Sequence, residues 1–363
     1  MDGPADILGM ESTSLIEAAS RRLSSGAGAA ARVYERAFAS GSLDLGGLGL
    51  SARSISAWED NFTVGLLPVL GIQAEPGPVD EAASKAVLGL ADGLEIECVR
   101  IPMPGGSGGK ATICVSSQAG CRMGCAFCET GRGGLARSLR ASEIVAQVLT
   151  ARVGLGWDCG NIVFMGMGEC LDNLGEVSAA LRVLADPRGL SFSMERITLC
   201  TSGPPGGVEA LRSLSLKRIN LSFSLNAGND RKRGELMPIA RTSRLEDVAA
   251  SLAAYSMRRN FVLGVNWCLL PGINDSREDA REAAAFCSRV GRSLLNLIPY
   301  NPGRLALTRA PSEEEISRFA SWLEEDGCLL RRRPGRGGKI MAGCGQLGSG
   351  SIPREGRAGA AVN

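Results

Sequence analysis

The chain alternates between short hydrophobic runs and segments whose apolar residues recur at helical spacing. The run 161–167 (NIVFMGM) is continuous, which is typical of a buried strand, and 174–185 (LGEVSAALRVLA) after it carries the apolar stripe of an amphipathic helix. Ser243 is an expected N-cap of a later helix. The predicted strands are 96–103, 111–117, 161–167, 196–203, 219–226, 261–272, 293–302 and 328–333, and the predicted helices are 174–185, 208–216, 243–259, 276–290 and 312–326.

This repeated order of strand and helix predicts an α/β fold, in which a parallel sheet is covered by outer helices. About six units between residues 111 and 302 predict a partial (β/α)6 barrel rather than a full eight-stranded one. In such barrels the chemistry takes place at the C-terminal ends of the strands. Four candidate strings end predicted strands: GMGE (166–169), CTSG (200–203), SLN (224–226) and PYN (299–301).

The regions on either side of the repeats predict accessory parts. Apolar residues at helical spacing in 15–23 and 31–41, separated by glycine-rich breaks, predict a small helical domain at the N-terminus. A hairpin around a turn at 104–110 leads into the barrel, and the end of the chain, 351–363, has the composition of a disordered tail. The predicted domains are a helical accessory domain at 1–90, the barrel with its N-terminal hairpin at 91–305, and a C-terminal extension at 306–363.

Length and composition fit one large domain with small additions. The 363 residues are 44% hydrophobic, so a sizeable core is expected. No apolar run reaches the roughly 18 residues of a membrane-spanning helix, so no membrane span is expected. The N-terminus lacks a basic region followed by an apolar stretch, which argues against a signal peptide. Twelve cysteines in such a chain predict reduced thiols and metal ligands in the cytoplasm.

Charge is balanced over the chain but clustered locally. The net charge of +2 does not indicate that the whole protein binds nucleic acid. However, residues 331–339 (RRRPGRGGK) hold five cations and no acid, and 231–233 hold three more. Such clusters either bind phosphates or form solvated faces, and the sequence leaves both interpretations open.

Three cysteines, Cys121, Cys125 and Cys128, carry the most specific chemistry in the string CRMGCAFC. Three thiolates can hold three irons of a cubic [4Fe–4S] cluster, whereas a cluster that only carries electrons usually has four. The fourth iron is then open to a substrate or cofactor. This spacing, with Phe127 before the third cysteine, favours a cluster that binds S-adenosylmethionine (SAM) and cleaves it to a radical.

Other roles for these thiols remain open at this point. A zinc site usually takes four ligands in pairs, and here no second pair follows, nor does the chain contain a histidine. The three cysteines could also be buried structural thiols. A disulfide framework is disfavoured because the chain is long and has no secretory leader.

Five strings along the chain carry a specific resemblance: CVSSQAGCRMGCAFCETG (114–131), VFMGMGE (163–169), LSFSLNAGNDRKRGELMPI (221–239), NLIPYNP (296–302) and AGCGQL (342–347). In this order they resemble the radical-SAM RNA methyltransferases that methylate adenosine in ribosomal RNA, either at carbon 2 or, in the resistance enzyme, at carbon 8. The resemblance covers about residues 97–348, while residues 1–90 are only vaguely similar to the family's helical, RNA-binding N-terminal domain.

The resemblance implies a reaction that uses SAM twice, because an adenine carbon is too electron-poor for simple methyl transfer. Cys344 matches the cysteine that is first methylated, and its glycine neighbours suggest a mobile loop. A radical from a second SAM then activates that methyl group, which adds to adenine. Glu97 matches the proposed proton acceptor, and Cys114 matches the cysteine that resolves the protein–RNA adduct through a transient disulfide with Cys344. The cations at 331–339 are expected to favour the Cys344 thiolate.

Each of these residues also has an ordinary interpretation. Cys114 or Cys344 could be a free buried thiol, and Glu97 a surface carboxylate on a strand. The resemblance further implies SAM contacts from residues at strand ends. These cofactor-binding candidates are Gly168, Glu169, Cys200, Ser224, Leu225, Asn226 and Asn301.

The chain departs from the family pattern near the expected SAM site. Cys170 stands where the family has proline after GMGE, and Cys200 replaces a serine that contacts SAM. Asn226 replaces a histidine and Gly228 a proline, while the acidic residues before the late cysteine have become GKIMAGC (338–344). A thiol is a weaker hydrogen-bond donor than a hydroxyl, so the contacts to SAM and substrate are the part in doubt.

The sequence therefore predicts a methyltransferase with a [4Fe–4S] cluster and SAM, acting on adenosine of 23S rRNA, with tRNA open as a second substrate. Carbon 2 is favoured over carbon 8. The alternatives are a radical-SAM enzyme with another substrate on the same scaffold, or a non-catalytic Fe–S or RNA-binding protein. An electron donor such as flavodoxin or ferredoxin, a monomeric state, a cytoplasmic location and no membrane partner are also expected.

Overall fold

The computed structural model describes residues 3–103, 110–255 and 258–348. Its main element is a ten-stranded sheet in the order β14-β13-β12-β11-β10-β9-β6-β5-β4-β3. The strands are β1 (Ala5–Asp6), β2 (Phe62–Thr63), β3 (Val69–Ala74), β4 (Ser84–Gly89), β5 (Glu95–Pro102), β6 (Ala111–Cys114), β7 (Gln118–Gly120), β8 (Leu135–Ser138), β9 (Cys159–Phe164), β10 (Ile197–Thr201), β11 (Asn220–Ser224), β12 (Leu263–Leu269), β13 (Ser293–Pro299) and β14 (Leu330–Arg332).

Helices cover the outer face of this sheet. Phe223 of β11 stacks on Phe286 at a ring distance of 5.4 Å, and Trp267 of β12 stacks on Phe319 at 5.7 Å, so the outward residues of the strands form the core beneath the helices. The helices are α1 (Ser12–Arg22), α2 (Ala30–Ser40), α3 (Ala52–Asn61), α4 (Glu129–Arg132), α5 (Ala141–Leu149), α6 (Leu174–Ala185), α7 (Gly207–Ser213), α8 (Asp230–Leu236), α9 (Leu245–Ala254), α10 (Arg277–Val290) and α11 (Glu313–Glu325).

The strands from β6 to β14 that lie in this sheet all pair in parallel, with helices in each connection. The predicted α/β partial barrel is therefore confirmed. Strands such as β12 are buried along nearly their whole length, as parallel strands covered on both faces are. Because their carboxyl ends lie at one edge, the polar strings that end them come together.

The start of the sheet is antiparallel. The predicted hairpin of β5 and β6 is present, with Val99 opposite Cys114, although its turn lies largely outside the described residues. In contrast, β3 and β4 were not predicted, since the sequence indicated only helices in residues 1–90. All six residues of β3 are exposed, so this strand has no buried face to impose an alternating pattern.

The N-terminal helices α1, α2 and α3 pack on the outside of the barrel. Leu15, Tyr34 and Trp58 are fully buried and belong to the same continuous hydrophobic core as the strands. The backbone N–H of Ser12 donates to Asp186 at 2.7 Å, which joins the start of α1 to the end of α6. These contacts hold the helical region against the barrel.

The chain after β14 crosses from one edge of the sheet to the other. We call residues 333–348 the closing segment. Arg336 donates to the carbonyl of Pro102 at 2.6 Å, and the N–H of Gly337 donates to Glu75 at 2.7 Å, so the segment that leaves β14 is bound to β5 and to the end of β3. The closing segment thus joins the two edges of the open barrel across its mouth.

One predicted cap differs from the structure. Ser243 ends the preceding 3-10 turn, and Arg244 occupies the N-cap position of α9 without a side-chain hydrogen bond to the helix. The N–H of Leu245 instead donates to Asp230 at 2.7 Å, so a carboxylate from α8 takes the role expected of Ser243. In the three described ranges, no helix is both long and apolar enough to cross a membrane.

Candidate active site

The three motif cysteines lie on the loop between β7 and α4. The N–H of Cys121 donates to Gly134 at 2.7 Å, and the N–H of Cys128 donates to the carbonyl of Cys125 at 3.1 Å. Ala126, between the second and third cysteines, donates to Leu236 at 2.8 Å and so fixes the loop to α8. These backbone contacts therefore anchor the short loop that carries the three thiols, which we call the cluster loop (121–128).

The thiols of the cluster loop fit a cubic cluster better than a single ion. Burial raises the pKa of Cys125 well above its usual range, and the neighbouring Cys128 and Cys121 raise it further, so the three sulfurs are close. Yet among the described residues no three His, Cys, Asp or Glu side chains converge on one metal position. A cluster in which each thiolate binds its own iron suits this spacing, whereas one tetrahedral zinc ion does not.

Gly168 and Glu169 follow β9 and face the cluster loop. Gly168 has a φ of +102°, and a Cβ there would lie 2.6 Å from the Cβ of Gln118, so only glycine fits this turn. Gln118 in turn accepts from the N–H of Glu169 at 2.9 Å. The β9 turn and the strand that leads into the cluster loop are therefore in direct contact.

The Glu169 carboxylate is buried and accepts hydrogen bonds at both of its oxygens. Leu171 N–H donates to one oxygen at 3.0 Å, and the N–H and hydroxyl of Ser202 donate to the other at 2.7 and 2.8 Å. Burial raises the pKa of Glu169 above its usual value, and these hydrogen bonds partly offset the shift. Glu169 thus brings a carboxylate into the cleft beside the cluster loop, which an ammonium group would stabilise.

Residues at the ends of β10 and β11 line the same cleft. Cys200 is buried, and the pKa of its thiol is raised by burial and by the nearby Cys114 and Cys344. Asn226 adopts the left-handed region at φ +56°, accepts from Cys268 N–H at 2.8 Å, and points its amide nitrogen at Met237. The Asn226 side chain is therefore used to fix the neighbouring strand, and its predicted contact with SAM remains a prediction.

Arg233 is a buried residue of this site that the sequence did not single out. Its guanidinium donates to the carbonyls of Ser202 at 2.7 Å and Leu225 at 3.2 Å, and lies 5.0 Å above the ring of Phe223. Its third carbonyl contact is Ser224 at 3.2 Å. Burial lowers the pKa of Arg233 to about 10, although the charges of Cys125, Asp230 and Glu169 oppose that shift.

The basic run 231–233 therefore does not form one surface. Arg231 is exposed and pairs with Glu235 at 3.0 Å, and Lys232 pairs with Asp279, while Arg233 is inside. One nitrogen of Arg233, Nη1, is buried without a hydrogen-bond partner in the structure. The burial of Leu236 and Gly234 beside it shows which face of α8 points inward. Arg233 lies three residues before Leu236 and so on the same face of the helix. This spacing was the sequence signal that could have predicted the burial of Arg233.

Cys344 lies on the closing segment, next to the cluster loop. The carbonyl of Gly345 accepts from the N–H of Glu129 at 2.7 Å, and Thr130 donates to the carbonyl of Leu347. The Cys344 residue is exposed as a whole, while burial of its sulfur is the largest cause that raises the pKa of the thiol above the usual value. Backbone contacts therefore bring Cys344 beside the residues that follow Cys128.

Cys114 ends β6 and faces the same cleft as Cys344. Burial raises the pKa of Cys114 to about 12, and the charge of Cys344 is the second cause of that shift. Both are free thiols in the structure, as are the other cysteines of the described residues, so no formed disulfide is present there. Arg333 lowers the pKa of the Cys344 thiol, but burial raises that pKa by more. The expectation that nearby cations favour the Cys344 thiolate therefore holds for Arg333 alone, and the net shift of the pKa is in the opposite direction.

The remaining cations of 331–339 point in different directions. Arg331, Arg332 and Arg333 are all exposed, but only Arg333 reaches inward, where its Nε donates to the buried Asn296 at 3.1 Å. Arg332 also pairs with Glu313. The run therefore joins the barrel interior, the sheet edge and the closing segment, instead of forming one solvated face.

Asn301 follows β13 and packs against the glycines around Cys344. A Cβ on Gly343 would lie 2.8 Å from the Asn301 amide, and one on Gly338 would lie 3.1 Å from its oxygen. The Asn301 amide nitrogen donates to the carbonyl of Pro299 at 3.3 Å. Asn301 therefore lies beside the glycines that flank Cys344, and its role toward SAM remains a prediction.

Glu97 lies on β5 and forms a buried ion pair with Lys85 of β4. The distance from Lys85 Nζ to Glu97 Oε1 is 3.1 Å, and both side chains are about nine-tenths buried or more. The second oxygen, Oε2, accepts from the N–H of Gly348 at 3.0 Å. The structure thus excludes the alternative of a surface carboxylate at Glu97, and Lys85 is a site residue that sequence analysis missed.

Known proteins resemble this chain over most of its length. Residues 115–284 match the Radical SAM superfamily. The chain is 36% identical over 352 residues, 97% of this chain and 96% of the relative, to a probable dual-specificity RNA methyltransferase RlmN 1 of Protochlamydia amoebophila (strain UWE25). It is 42% identical over 272 residues, 74% of this chain and 77% of the relative, to the dual-specificity RNA methyltransferase RlmN of Syntrophobacter fumaroxidans.

A solved structure agrees with these sequence relatives. The crystal structure of a radical SAM methyltransferase from Sphaerobacter thermophilus superposes with a TM-score of 0.85 at 30% identity. The match covers 95% of this chain and 99% of that one, so it extends well beyond the barrel.

Proposed function

The chain belongs to the RlmN family of RNA methyltransferases within the Radical SAM superfamily, and from this we propose that Cys344 carries the methyl group that the enzyme delivers to an adenine carbon. The protein is a SAM-dependent RNA methyltransferase whose cofactors are a [4Fe–4S] cluster and SAM. Cys121, Cys125 and Cys128 would hold the cluster. When bound, cluster and SAM supply the radical that activates a methyl C–H bond.

The observation that carries the proposal is the convergence of Cys344, Cys114 and the cluster loop on one cleft. The carbonyl of Gly345, next to Cys344, accepts a hydrogen bond from Glu129, the residue after Cys128. Cys344 also lies close enough to Cys114 for its charge to raise the pKa of the Cys114 thiol. A methyl group on Cys344 would therefore lie on the cluster side of the cleft. Neither of the alternative functions requires this pair of thiols outside the cluster motif.

The other site residues have roles that follow from their places. Glu169 would accept hydrogen bonds from the SAM ammonium, with Gly168, Cys200, Ser224, Leu225, Asn226 and Asn301 as further SAM contacts. Glu97 would take the ring proton of the adduct, and the unpaired electron of the adduct would have to pass to the cluster before the adduct is resolved. A Cys114 thiolate would then attack the Cys344 sulfur and break its bond to carbon. The electron pair of that bond goes to the carbon, which takes a proton as a methyl group, and the resulting disulfide needs an external thiol to reopen it.

The expected substrate is adenosine of 23S rRNA at carbon 2, with tRNA as a second candidate. Asn226 satisfies its hydrogen bonds locally with Cys268 and Met237, so its departure from the family pattern gives no specific support to a different substrate. Nucleoside analysis of RNA treated with the enzyme distinguishes 2-methyl- from 8-methyladenosine. We also expect a cytoplasmic monomer that receives electrons from flavodoxin or ferredoxin.

Mass spectrometry of the purified protein tests the role of Cys344. Protein with an intact cluster should carry an added methyl group on Cys344, and a Cys344→Ala variant should lose RNA methylation. A Cys114→Ala variant should accumulate a covalent protein–RNA adduct, since the thiol that resolves it is missing. The control is Cys159→Ala, which should trap no adduct, because Cys159 lies at the start of β9 and the site residues follow the end of that strand. An unmethylated Cys344 in active enzyme would contradict the proposal.

A further inference from the structure

The buried ion pair of Lys85 and Glu97 also makes hydrogen bonds to the backbone of the closing segment. The two strands are antiparallel with Val87 opposite Glu97, so Lys85 lies diagonally from Glu97 on the same face of the sheet. Besides Glu97, Lys85 Nζ donates to the backbone carbonyl of Met341 at 3.1 Å. A buried ion pair carries a desolvation cost of several kcal/mol, and additional hydrogen bonds to its two charged groups help to offset that cost.

These extra contacts lie at the two ends of one loop. Lys85 binds the carbonyl of Met341, and Glu97 Oε2 accepts from the N–H of Gly348, so one ion pair grips both ends of residues 341–348. Cys344 lies between them. Met341 adopts a left-handed backbone at φ +53°, which costs about 1 kcal/mol or more for a residue other than glycine, so contacts such as that of Lys85 must hold it.

Both oxygens of Glu97 are occupied in this arrangement. Oε1 faces Lys85 and Oε2 faces Gly348 N–H, so neither is free to take a proton from a base in the cleft. Release of the Gly348 end would free Oε2, while Lys85 keeps the carboxylate oriented through Oε1. Movement of the Cys344 loop and exposure of the proton acceptor are thereby the same event.

We propose that Lys85 is a positioning residue that clasps the Cys344 loop against Glu97 and orients Glu97 when the loop opens. This inference rests on the proposed function for the role of Glu97 as proton acceptor. Its structural part, the clasp itself, concerns only the contacts of Lys85, Glu97, Met341 and Gly348.

Hydrogen exchange measured by mass spectrometry tests the clasp directly, because the Gly348 N–H is one of its bonds. In a Lys85→Met variant, the peptide spanning Met341–Gly348 should exchange at least about tenfold faster, as expected for loss of a charge-assisted hydrogen bond. The Lys85→Arg variant keeps the charge and donors and should retain most of the protection. The matched control is Lys232→Met, which removes another paired lysine and should leave this peptide unchanged.

A second variant keeps the test decisive if Lys85→Met does not fold. Lys85→Met combined with Glu97→Gln leaves no unpaired buried charge. Its 341–348 peptide should still exchange faster than wild type, whereas peptides of α10 should be unaffected, which separates loop opening from global unfolding. Wild-type exchange at 341–348 in this folded double variant would overturn the proposal.

RNA methylation supplies the functional readout. The Lys85→Met enzyme should lose at least about tenfold in kcat, with Lys85→Arg restoring most of it, since only positioning is impaired. Exchange needs neither SAM nor RNA, so the two ideas fail separately. If the Lys85→Met variant exchanges faster but the wild-type protein shows no RNA methyltransferase activity, the proposed function alone is contradicted. If the wild-type protein is active but exchange in the Lys85→Met variant is unchanged, the clasp alone is contradicted.

Discussion

At the scale of single residues, buried charges in the cleft are held by several partners each. Arg233 binds three backbone carbonyls and a ring, and Glu169 accepts hydrogen bonds at both carboxylate oxygens. A buried charge that lost such partners would be costly, because the desolvation penalty would remain without compensation. Arg233 and Glu169 therefore connect the ends of neighbouring strands and also supply charged groups to the site.

Replacement of Arg233 by methionine should destabilise the protein strongly. The carbonyls of Ser202, Ser224 and Leu225 would lose their donors inside the barrel, and we expect a loss of about 3 kcal/mol in the free energy of unfolding. Urea denaturation at neutral pH measures the change. The control is Arg231→Met, whose exposed pair with Glu235 should cost less than about 1 kcal/mol. Equal effects of the two variants would contradict this account.

The sequence proposed residues for the chemistry but not the residues that support them. The spacing of Cys121, Cys125 and Cys128 is informative by itself, whereas Cys344 and Glu169 were proposed from the family resemblance. Arg233 and Lys85 were missed because a cation is expected at the surface unless distant partners bury it. Lys85 contacts Met341, which lies 256 residues away in the chain, and no local pattern reports such a contact.

At the scale of elements, the entry to the cluster loop depends on one glycine. Gly120 ends β7 with φ +84°, and a Cβ there would lie only 2.1 Å from the carbonyl oxygen of Gly134. The next residue, Cys121, donates its N–H to that same oxygen. A side chain at Gly120 would therefore displace the first cluster ligand together with its anchor.

A Gly120→Ala variant should consequently lose most of its cluster. We expect iron content after anaerobic reconstitution to fall by at least about half, because misplacement of one ligand weakens the whole site. Gly291→Ala is the matched control, since Gly291 has the same φ of +84° but nothing within 4 Å of an added Cβ. It shares the backbone strain without the collision. Full iron loading of Gly120→Ala would show that the β7 end adjusts freely.

The strands and helices were predictable to different degrees for physical reasons. Parallel strands such as β9 and β12 are buried on both faces, so their hydrophobic runs were visible in the sequence. The exposed β3 has no such pattern, and its residues form a strand because β4 offers an unpaired edge. The start of α9 was misplaced because the capping carboxylate comes from Asp230 on another helix.

At the scale of the whole molecule, the closing segment makes one unit of the barrel and its site. It starts at β14, one edge of the ten-stranded sheet, and is bound to β4 and β5 near the other edge. On its way it places Cys344 beside the cluster loop. The order of the chain gave no sign of this crossing, since it depends on contacts between residues far apart in the sequence, such as Lys85 with Met341 and Arg336 with Pro102.

The buried thiols of the barrel predict how stability changes with pH. Burial raises the pKa of many of the protein's thiols above the ordinary value of 9.0, to about 12 for Cys114 and Cys159. Above pH 9 the unfolded chain therefore releases protons that the folded protein keeps. The folded state binds more protons, so its stability must fall as the pH rises. Other thiols outside the cluster motif with raised pKa are Cys98, Cys170, Cys200, Cys268, Cys287 and Cys344.

The apoprotein, kept reduced, should thus be stable to about pH 8 and lose stability steeply between pH 9 and 10. Each such thiol contributes up to about 1.4 kcal/mol per pH unit once the unfolded thiol is ionised. Urea denaturation at pH 7.5, 8.5, 9.5 and about 10 in excess reductant measures the slope. A stability that is constant or rising from pH 8 to about 10 would show that these thiols ionise in the folded barrel, with water reaching its interior.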